Sequence, residues 1–402
     1  MYKAVYLKKG KEESLRRFHP WVFSGAIARM DDGLEEGDVV RVIGFDNNFL
    51  GVGHVQVGSI AVRILSFRDI AIEDAFWQSR LREAWNVRKS IGLYRPEGKE
   101  GGKSVNTTYR LVHGEGDNLP GLVIDCYGKT AVMQAHSIGM HVSRLDIAKA
   151  LKEVLGDSVE HIYYKSETTL PFKANLGQEN EFILGGPTNE NLTVENGLRF
   201  HVDWLRGQKT GFFVDQRDNR ALLEHYAKDR TVLNMFCYTG GFSVYALRGG
   251  ASLVHSVDSS AKAVELTNAN VAINFAPEDH RHEAFCEDAF KFLDSHNDQY
   301  DLIVLDPPAF AKHRGALKNA LKGYTRLNVK GLQRIRKGGI LFTFSCSQVV
   351  TKELFRQAVF TAAAQTGRKV RILHQLHQPA DHPINIYHPE GEYLKGFVLY
   401  VE

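Results

Sequence analysis

The chain has 402 residues, 43% hydrophobic and 24% charged, with a formal net charge of +3. These are globular values at a length that fits two or three domains. They exclude a uniformly basic nucleic-acid binder, so any such surface must come from local clustering.

The four cysteines, Cys126, Cys237, Cys286 and Cys346, form no C-x-x-C pair. This argues against structural zinc and against a disulfide framework, and it fits a reducing, cytoplasmic setting. No metal is expected. The N-terminus lacks the apolar run of a signal peptide, and no stretch approaches the roughly 18 apolar residues of a membrane span.

Residues 1–72 read as a small β domain. Short strands at 38–43, 49–53 and 60–65 are separated by Asn and Gly turns, a spacing that suggests a compact barrel. The leading segment 3–29 holds seven Lys/Arg, including Lys8, Lys9, Arg16 and Arg17, against Glu12 and Glu13, and it also contains Trp21 and Phe23. Basic groups neutralise phosphates and aromatic faces stack on bases; a merely solvated edge is the alternative. The stretch with its GDVVRV strand resembles a PUA domain, a small RNA-binding β-barrel.

Residues 73–205 read as an α+β domain: a helix over 74–98 ending at Arg95-Pro96, a loop over 97–103, strands at 109–113, 122–127 and 131–135, a helix over 139–155, and a strand at 161–164. An Asn196-Gly197 hairpin closes the region. No catalytic constellation is legible there.

From 206 to 402 strands and helices alternate, the pattern of a doubly wound, Rossmann-like parallel sheet. The strand at 231–236 runs into Tyr238-Thr239-Gly240-Gly241. Strand 253–257 ends at Asp258-Ser259, strand 282–287 at Asp288-Ala289, strand 301–305 at Asp306-Pro307-Pro308, and strand 340–344 near Cys346. Ligands in open α/β sheets bind at that carboxyl edge. Asp258 stands where an acid accepts ribose hydroxyls, and Asp288 could accept from an adenine amine; each alone reads equally as a helix N-cap. Asp-Pro-Pro points to S-adenosylmethionine rather than a nicotinamide. Lys318, Lys322, Arg326, Lys330 and Arg334 recur every four residues as a helical stripe, read either as an RNA contact or as a solvated face. Arg336-Lys337-Gly338-Gly339 reads as that helix's C-terminus.

The runs LNMFCYTGGFSV, HSVDSS, EDAF, YDLIVLDPPAF, FTFSCS, ADHPINIYHPEGEYLKGF, TGFFVDQRDNR and RLVHGEGDNLPGLVID together resemble the large-subunit (23S) ribosomal RNA 5-methylcytosine methyltransferases, over essentially the whole chain. The resemblance implies an S-adenosylmethionine site lined by Gln216, Tyr238, Thr239, Gly240, Asp258, Ser259, Asp288, Ala289 and Asp306. It implies Cys346 as nucleophile, ribosomal RNA as partner, no membrane, and suggests a homodimer. Candidate RNA contacts are Lys8, Lys9, Arg16, Arg17, Trp21, Lys312, Lys322 and Arg326. One departure is DPPAF, where relatives often carry a lysine after the second proline.

Chemistry supports the pairing of Cys346 with Asp306. C5 of cytosine is a poor nucleophile until a thiolate adds to C6, and Asp306 is placed to help protonate N3. The base that removes the C5 proton is left open. The alternatives are a methyltransferase for another ribosomal RNA target, guanine N7 or uridine C5, and a non-catalytic RNA-binding assembly factor. Cys346 separates the first of these, because transfer to an accessible nitrogen needs no thiol.

Overall fold

Residues 2–93, 106–171, 179–188 and 191–402 are described by a computed structural model of the chain. The expected loop at 97–103 and the helix end at Arg95-Pro96 lie outside the described residues. The chain forms two compact units. One comprises Met1–Gly197, Val202–Val214 and Ala380–Gly391; the other comprises Leu198–His201, Asp215–Pro379 and Glu392–Glu402.

The first unit opens with a six-stranded sheet of β1 (Ala4–Leu7), β2 (Trp21–Phe23), β3 (Ile27–Met30), β4 (Val39–Ile43), β5 (Phe49–Val55) and β6 (Ile60–Ser66), with the short helix α1 (Glu13–Arg16) after β1. The order is β2-β6-β5-β4-β1-β3. Val5, Leu7, Val22, Val40, Val42, Val62 and Ile64 fill its core. Strands β4 to β6 match the sequence expectation; β1 to β3 are short and lie inside the basic stretch, where their alternation is masked.

The same unit continues through α2 (Asp74–Ser90), β7 (Thr108–His113), β8 (Leu122–Tyr127), β9 (Thr130–Ala135), α3 (Ile138–Val142), α4 (Arg144–Leu155), β10 (His161–Tyr164) and β11 (Glu181–Leu184), in a five-stranded sheet ordered β11-β10-β9-β8-β7. The single helix expected over 139–155 is two helices that meet at Ser143. Gly139 of α3 lies against the His54 ring so closely that a Cβ there would stand 2.1 Å from it. Arg88 is fully buried on α2. Its guanidinium forms a fork with Asp117 and donates to the Arg110 carbonyl at 2.7 Å and the Asp381 carbonyl at 2.6 Å. The Asp381 carboxylate accepts from the Arg110 amide at 2.9 Å. These bonds knit segment 380–391 into the unit.

Strands β12 (Leu192–Glu195) and β13 (Leu198–His201) form the expected hairpin. Asn196 and Gly197 both take positive φ, +48° and +82°, the backbone that a tight Asn-Gly turn requires.

The second unit contains α5 (Arg217–Tyr226), β14 (Thr231–Met235), α6 (Gly241–Arg248), β15 (Leu253–Asp258), α7 (Ala261–Ala272), β16 (His282–Cys286), α8 (Ala289–Ser295), β17 (Tyr300–Leu305), α9 (Leu317–Arg334), β18 (Ile335–Ser345), α10 (Lys352–Thr366), β19 (Val370–His377) and β20 (Lys395–Val401). The seven strands run β16-β15-β14-β17-β18-β20-β19. β14 to β18 are mutually parallel and β20 is antiparallel to both of its neighbours. Apolar clusters cover both faces, one around Leu233, Ile303, Leu341 and Phe355, the other around Val232, Leu302, Phe342 and Phe344. Burial on two faces explains why these strands read as continuous apolar runs. The order reverses between β14 and β17, the switch point where such sheets open a crevice.

One expectation is corrected here. Residues 336–339 are not a helix terminus: α9 stops at Arg334 and β18 begins at Ile335. Arg336 Nη1 reaches Asp301 at 2.9 Å and Thr231 Oγ1 at 3.1 Å, which fastens the segment to the sheet, and Gly338 takes φ +80° within it. Among the described residues no helix is long and apolar enough to cross a membrane.

Candidate active site

Three of the five parallel strands of the second unit end in a residue able to do chemistry. Asp258 is the last residue of β15, Asp306 follows β17 directly, and Cys346 follows β18 directly. Leu305 pairs with Thr343 in the β17–β18 ladder, so Asp306 and Cys346 leave the sheet on neighbouring strands at the same edge.

The turn after β14 is strained in a specific way. Phe236, Tyr238 and Gly240 all have positive φ, +59°, +45° and +74°. For non-glycine residues that conformation is uncommon and marks a backbone held by its surroundings. The Tyr238 amide donates to Asp258 Oδ2 at 3.0 Å, and Thr267 Oγ1 donates to the Tyr238 carbonyl at 2.9 Å. Gly240 occupies the N-cap of α6, and a Cβ there would lie 2.7 Å from Thr267 Cγ2. The glycine therefore lets Thr267 of α7 pack against the turn at the N-terminus of α6. Thr239 is buried, and its carbonyl accepts from Asn270 Nδ2 at 2.8 Å.

The carboxylates differ in their commitments. Asp258 accepts from Tyr238 through one oxygen and from the Ser260 amide at 3.0 Å through the other. Asp288 caps α8, its Oδ1 accepting from the amides of Phe290 at 3.0 Å and Lys291 at 3.1 Å. Ser259 is exposed and Ala289 buried beside these two acids. Asp306 is held by Gln216, whose Nε2 donates to Oδ2 at 3.0 Å while its Oε1 accepts from Asn219 at 2.7 Å. Burial pushes the Asp306 carboxyl up to about 7, and the negative charge of Asp215 pushes the same way; Gln216 and Arg220 oppose them. Asp215 in turn accepts from Tyr393 Oη at 2.6 Å.

The Cys346 turn is fastened on three sides. Ser345 Oγ donates to Tyr324 Oη at 3.0 Å, and Ser347 Oγ donates to the Ala311 carbonyl at 2.5 Å. Lys395, opposite Ser345 in the β18–β20 ladder, donates through Nζ to the carbonyls of Ser347 at 2.7 Å and Val350 at 2.8 Å. Burial lowers this lysine to about 8, while the charges of Cys346 and Glu392 act to raise it. Cys346 is half-buried. Burial pushes the thiols of Cys126 and Cys237 up to about 12, the state of inert structural cysteines. Cys286 is exposed, its sulfur 3.7 Å from the Ser259 carbonyl.

Sequence reasoning did not single out Asp215, Arg220, Tyr324, Tyr393 or Lys395. The one available signal was a lysine at the head of the apolar run KGFVLYV.

The expected RNA contacts are distributed unevenly. Lys8 is exposed and bonds the Gly25 carbonyl at 3.1 Å, and Lys9 lies over the Phe45 ring at 5.9 Å. Arg16 pairs with Asp46 and Arg17 with Glu13, each at 2.8 Å on the surface. Trp21 is half-buried and donates Nε1 to Glu115 at 2.9 Å. On α9, Arg326 lies over the Phe290 ring, Lys330 pairs with Asp294, and Arg334 bonds the Leu293 carbonyl. Much of the stripe therefore serves the contact with α8, while Lys318 and Lys322, like Lys312, stand exposed.

The sequence model of the S-adenosylmethionine-dependent methyltransferase family matches residues 169–384, and that of a PUA-like domain matches residues 5–67. Proteins named "Ribosomal RNA large subunit methyltransferase I" align along their whole length. That of Alteromonas mediterranea is 39% identical, covering 99% of this chain and 98% of the relative. That of Tolumonas auensis is 40% identical, covering 99% of each. That of Klebsiella pneumoniae is 37% identical, covering 100% and 99%. Among solved structures, a Streptococcus mutans protein described as a SAM-dependent methyltransferase has a TM-score of 0.83 at 24% identity, covering 99% of both chains. A methyltransferase complexed with SAH matches with the same score, identity and coverage. These two likenesses establish the fold.

Proposed function

Because the chain belongs to the ribosomal RNA large subunit methyltransferase I family, an S-adenosylmethionine-dependent one, we propose that it forms 5-methylcytosine in large-subunit ribosomal RNA through a covalent adduct on Cys346. The observation that carries this reading is the placement of Cys346 and Asp306 on adjacent strand tips, joined through the Ser347–Ala311 bond.

The donor's holders are the glycine turn and the acids. Gly240 takes the tight turn where a Cβ would collide with Thr267; Asp258 ends β15, the strand beside β14, and Asp288 follows β16, one strand further out, with Ser259 and Ala289 adjacent; Gln216, Tyr238 and Thr239 complete the set. Bound S-adenosylmethionine supplies an electrophilic methyl group. The chain's own residues prepare the acceptor. The Cys346 thiolate forms a bond to C6 of cytosine, and the displaced C5–C6 pair makes C5 nucleophilic. Asp306, raised to about 7, is protonated in about half of the molecules at neutral pH, and that form can give its proton to N3 as negative charge develops on the ring. Once C5 is methylated, its proton passes to a base and N3 returns its proton to Asp306, the C5=C6 double bond re-forms and the thiolate is expelled. Lys395 holds the backbone that follows the nucleophile and supplies positive charge near it, which favours thiolate. Exposed Lys8 and Lys9 in the first unit, and Lys312 and Lys322 in the second, are the proposed phosphate contacts.

The test is transfer of labelled methyl from S-adenosylmethionine to unmodified large-subunit ribosomal RNA, wild type beside Cys346→Ala, with nucleoside digestion. Label in 5-methylcytidine that the variant fails to produce is the expected result. Label in a guanosine, or transfer undiminished in the variant, would overturn the thiol mechanism. Label in 5-methyluridine would retain the mechanism and change the base. RNA binding with no transfer would leave an assembly factor.

A further inference from the structure

Within the first unit three titratable side chains converge, none of them used in the methyl transfer proposed above. His19 lies just before β2, and His388 and Glu390 lie on the returning segment 380–391. One carboxylate faces two imidazoles: Glu390 Oε1 is 3.5 Å from His19 Nε2, and Glu390 Oε2 is 3.7 Å from His388 Nε2. The ligand atoms of all three residues lie within 4.8 Å of one another. His388 is only 2% exposed, and among the described residues neither of its ring nitrogens has a hydrogen-bond partner. The Trp21 ring stands against it, centroids 4.3 Å apart, and shields it from water. An unsatisfied buried polar atom is destabilising, and in native structures such an atom calls for an explanation, an ion among them.

We propose that His19, His388 and Glu390 form a binding site for a divalent transition-metal ion, zinc foremost, which ties residues 388–390 to the head of β2. Two imidazoles and one carboxylate are a zinc-type donor set. Ligands about 2.0–2.2 Å from a tetrahedral ion stand roughly 3.3–3.6 Å from one another. The two imidazole–carboxylate separations of 3.5 and 3.7 Å are close to that spacing before any ion binds. Burial holds the His388 imidazole below its ordinary value, so its neutral, ligating form is ready, although the charges of Glu115 and Glu390 work against that shift. Those carboxylates also supply the negative potential that a cation requires.

The metal-free arrangement competes. His19 Nδ1 accepts from the Trp21 amide at 3.2 Å, which leaves the ring proton on Nε2, directed at Glu390. Loading moves that proton to Nδ1 and gives up the Trp21 bond, so affinity is lower than for a site with its tautomer already set. His19 and His388 stand far outside any metal-ligand sequence spacing, and the expectation of no metal rested on the absence of ligands at such spacing.

The test uses full-length protein, stripped with chelator and titrated with Zn2+ by calorimetry and with Co2+ by visible absorption. One equivalent of Zn2+ bound, with a tetrahedral Co2+ spectrum free of thiolate charge transfer, is expected. His388→Phe, which keeps a ring in place, and Glu390→Gln, which alters an exposed side chain, are each expected to weaken binding at least tenfold and to abolish the Zn2+-induced rise in melting temperature. Absence of binding in the wild type, a thiolate band in its Co2+ spectrum, or affinity unchanged in Glu390→Gln would overturn the proposal. If His388→Phe fails to fold, Glu390→Gln decides alone.

Discussion

Ser347 donates its hydroxyl to the Ala311 carbonyl at 2.5 Å, so the turn that carries Cys346 and the loop that carries Asp306 are fastened together. Both partners are buried. Ser347→Ala removes that bond and leaves a buried carbonyl without this donor. Displacement of a reacting group by about 1 Å can cost on the order of 100-fold in rate. Single-turnover methyl transfer is expected to fall by about that factor, with SAH affinity by calorimetry nearly unchanged.

On the proposed mechanism, Asp306 gives the reaction a basic limb. Its carboxyl is raised to about 7 by burial first and by Asp215 second, so the proton is present below that pH and lost above it. Transfer is expected to decline as pH rises through about 7, by about tenfold per unit. Asp306→Asn should lower the rate and abolish the limb. Asp215→Asn, which removes a charge that raises Asp306, should move the limb to lower pH. Stability has the same sign: the folded state keeps a proton that the unfolded chain releases, so this contribution is full below the ordinary carboxylate value of 3.8 and is lost as pH rises to about 7.

Lys395 is a positioning residue. Lys395→Met keeps the side-chain length, releases the carbonyls of Ser347 and Val350 and removes a positive charge near Cys346. The acidic limb of the pH–rate profile, which reports thiolate formation, is expected to shift upward in the variant. A merely structural lysine would lower the rate without moving that limb.

Gly240→Ala should separate donor binding from folding. The new Cβ meets Thr267 Cγ2 at 2.7 Å, on a backbone with φ +74°. A destabilisation of about 1–3 kcal/mol is expected, readable in urea, together with loss of SAH binding under conditions where the variant remains folded.

Arg88→Met tests the first unit. The substitution leaves Asp117 buried, 7% exposed, without its guanidinium, and breaking such a pair from one side costs about 3–5 kcal/mol. The urea midpoint should fall accordingly, and replacing Asp117 with Asn in the same chain should recover part of the loss.

What could be read from the chain alone follows from how local the cause is. Strands β14 and β17 and residues 340–345 of β18 are buried on both faces, so each announces itself as an apolar run, and the glycine, acid or thiol that follows marks the proposed functional edge. Lys395 was not legible, because its partners Ser347 and Val350 are reached only through the antiparallel insertion of β20. Asp215 acquires its meaning from Tyr393 and Asp306, and Arg88 from Asp117 and Asp381, all distant in sequence. The α9 stripe shows the converse. Its four-residue period was visible, but the period cannot say that Arg326, Lys330 and Arg334 are taken up by Phe290, Asp294 and Leu293. The 336–339 segment carried good helix-end residues, yet the ties of Arg336 to Asp301 and Thr231 put it in a strand.

Segment 380–391 belongs to the first unit although nearly all of the second is encoded before it. During synthesis, Arg88 and Arg110 therefore wait for Asp381 until almost the entire polypeptide has been translated. The amino-terminal unit cannot finish folding first, and a ribosome that stalls within the methyltransferase sheet leaves both units incomplete.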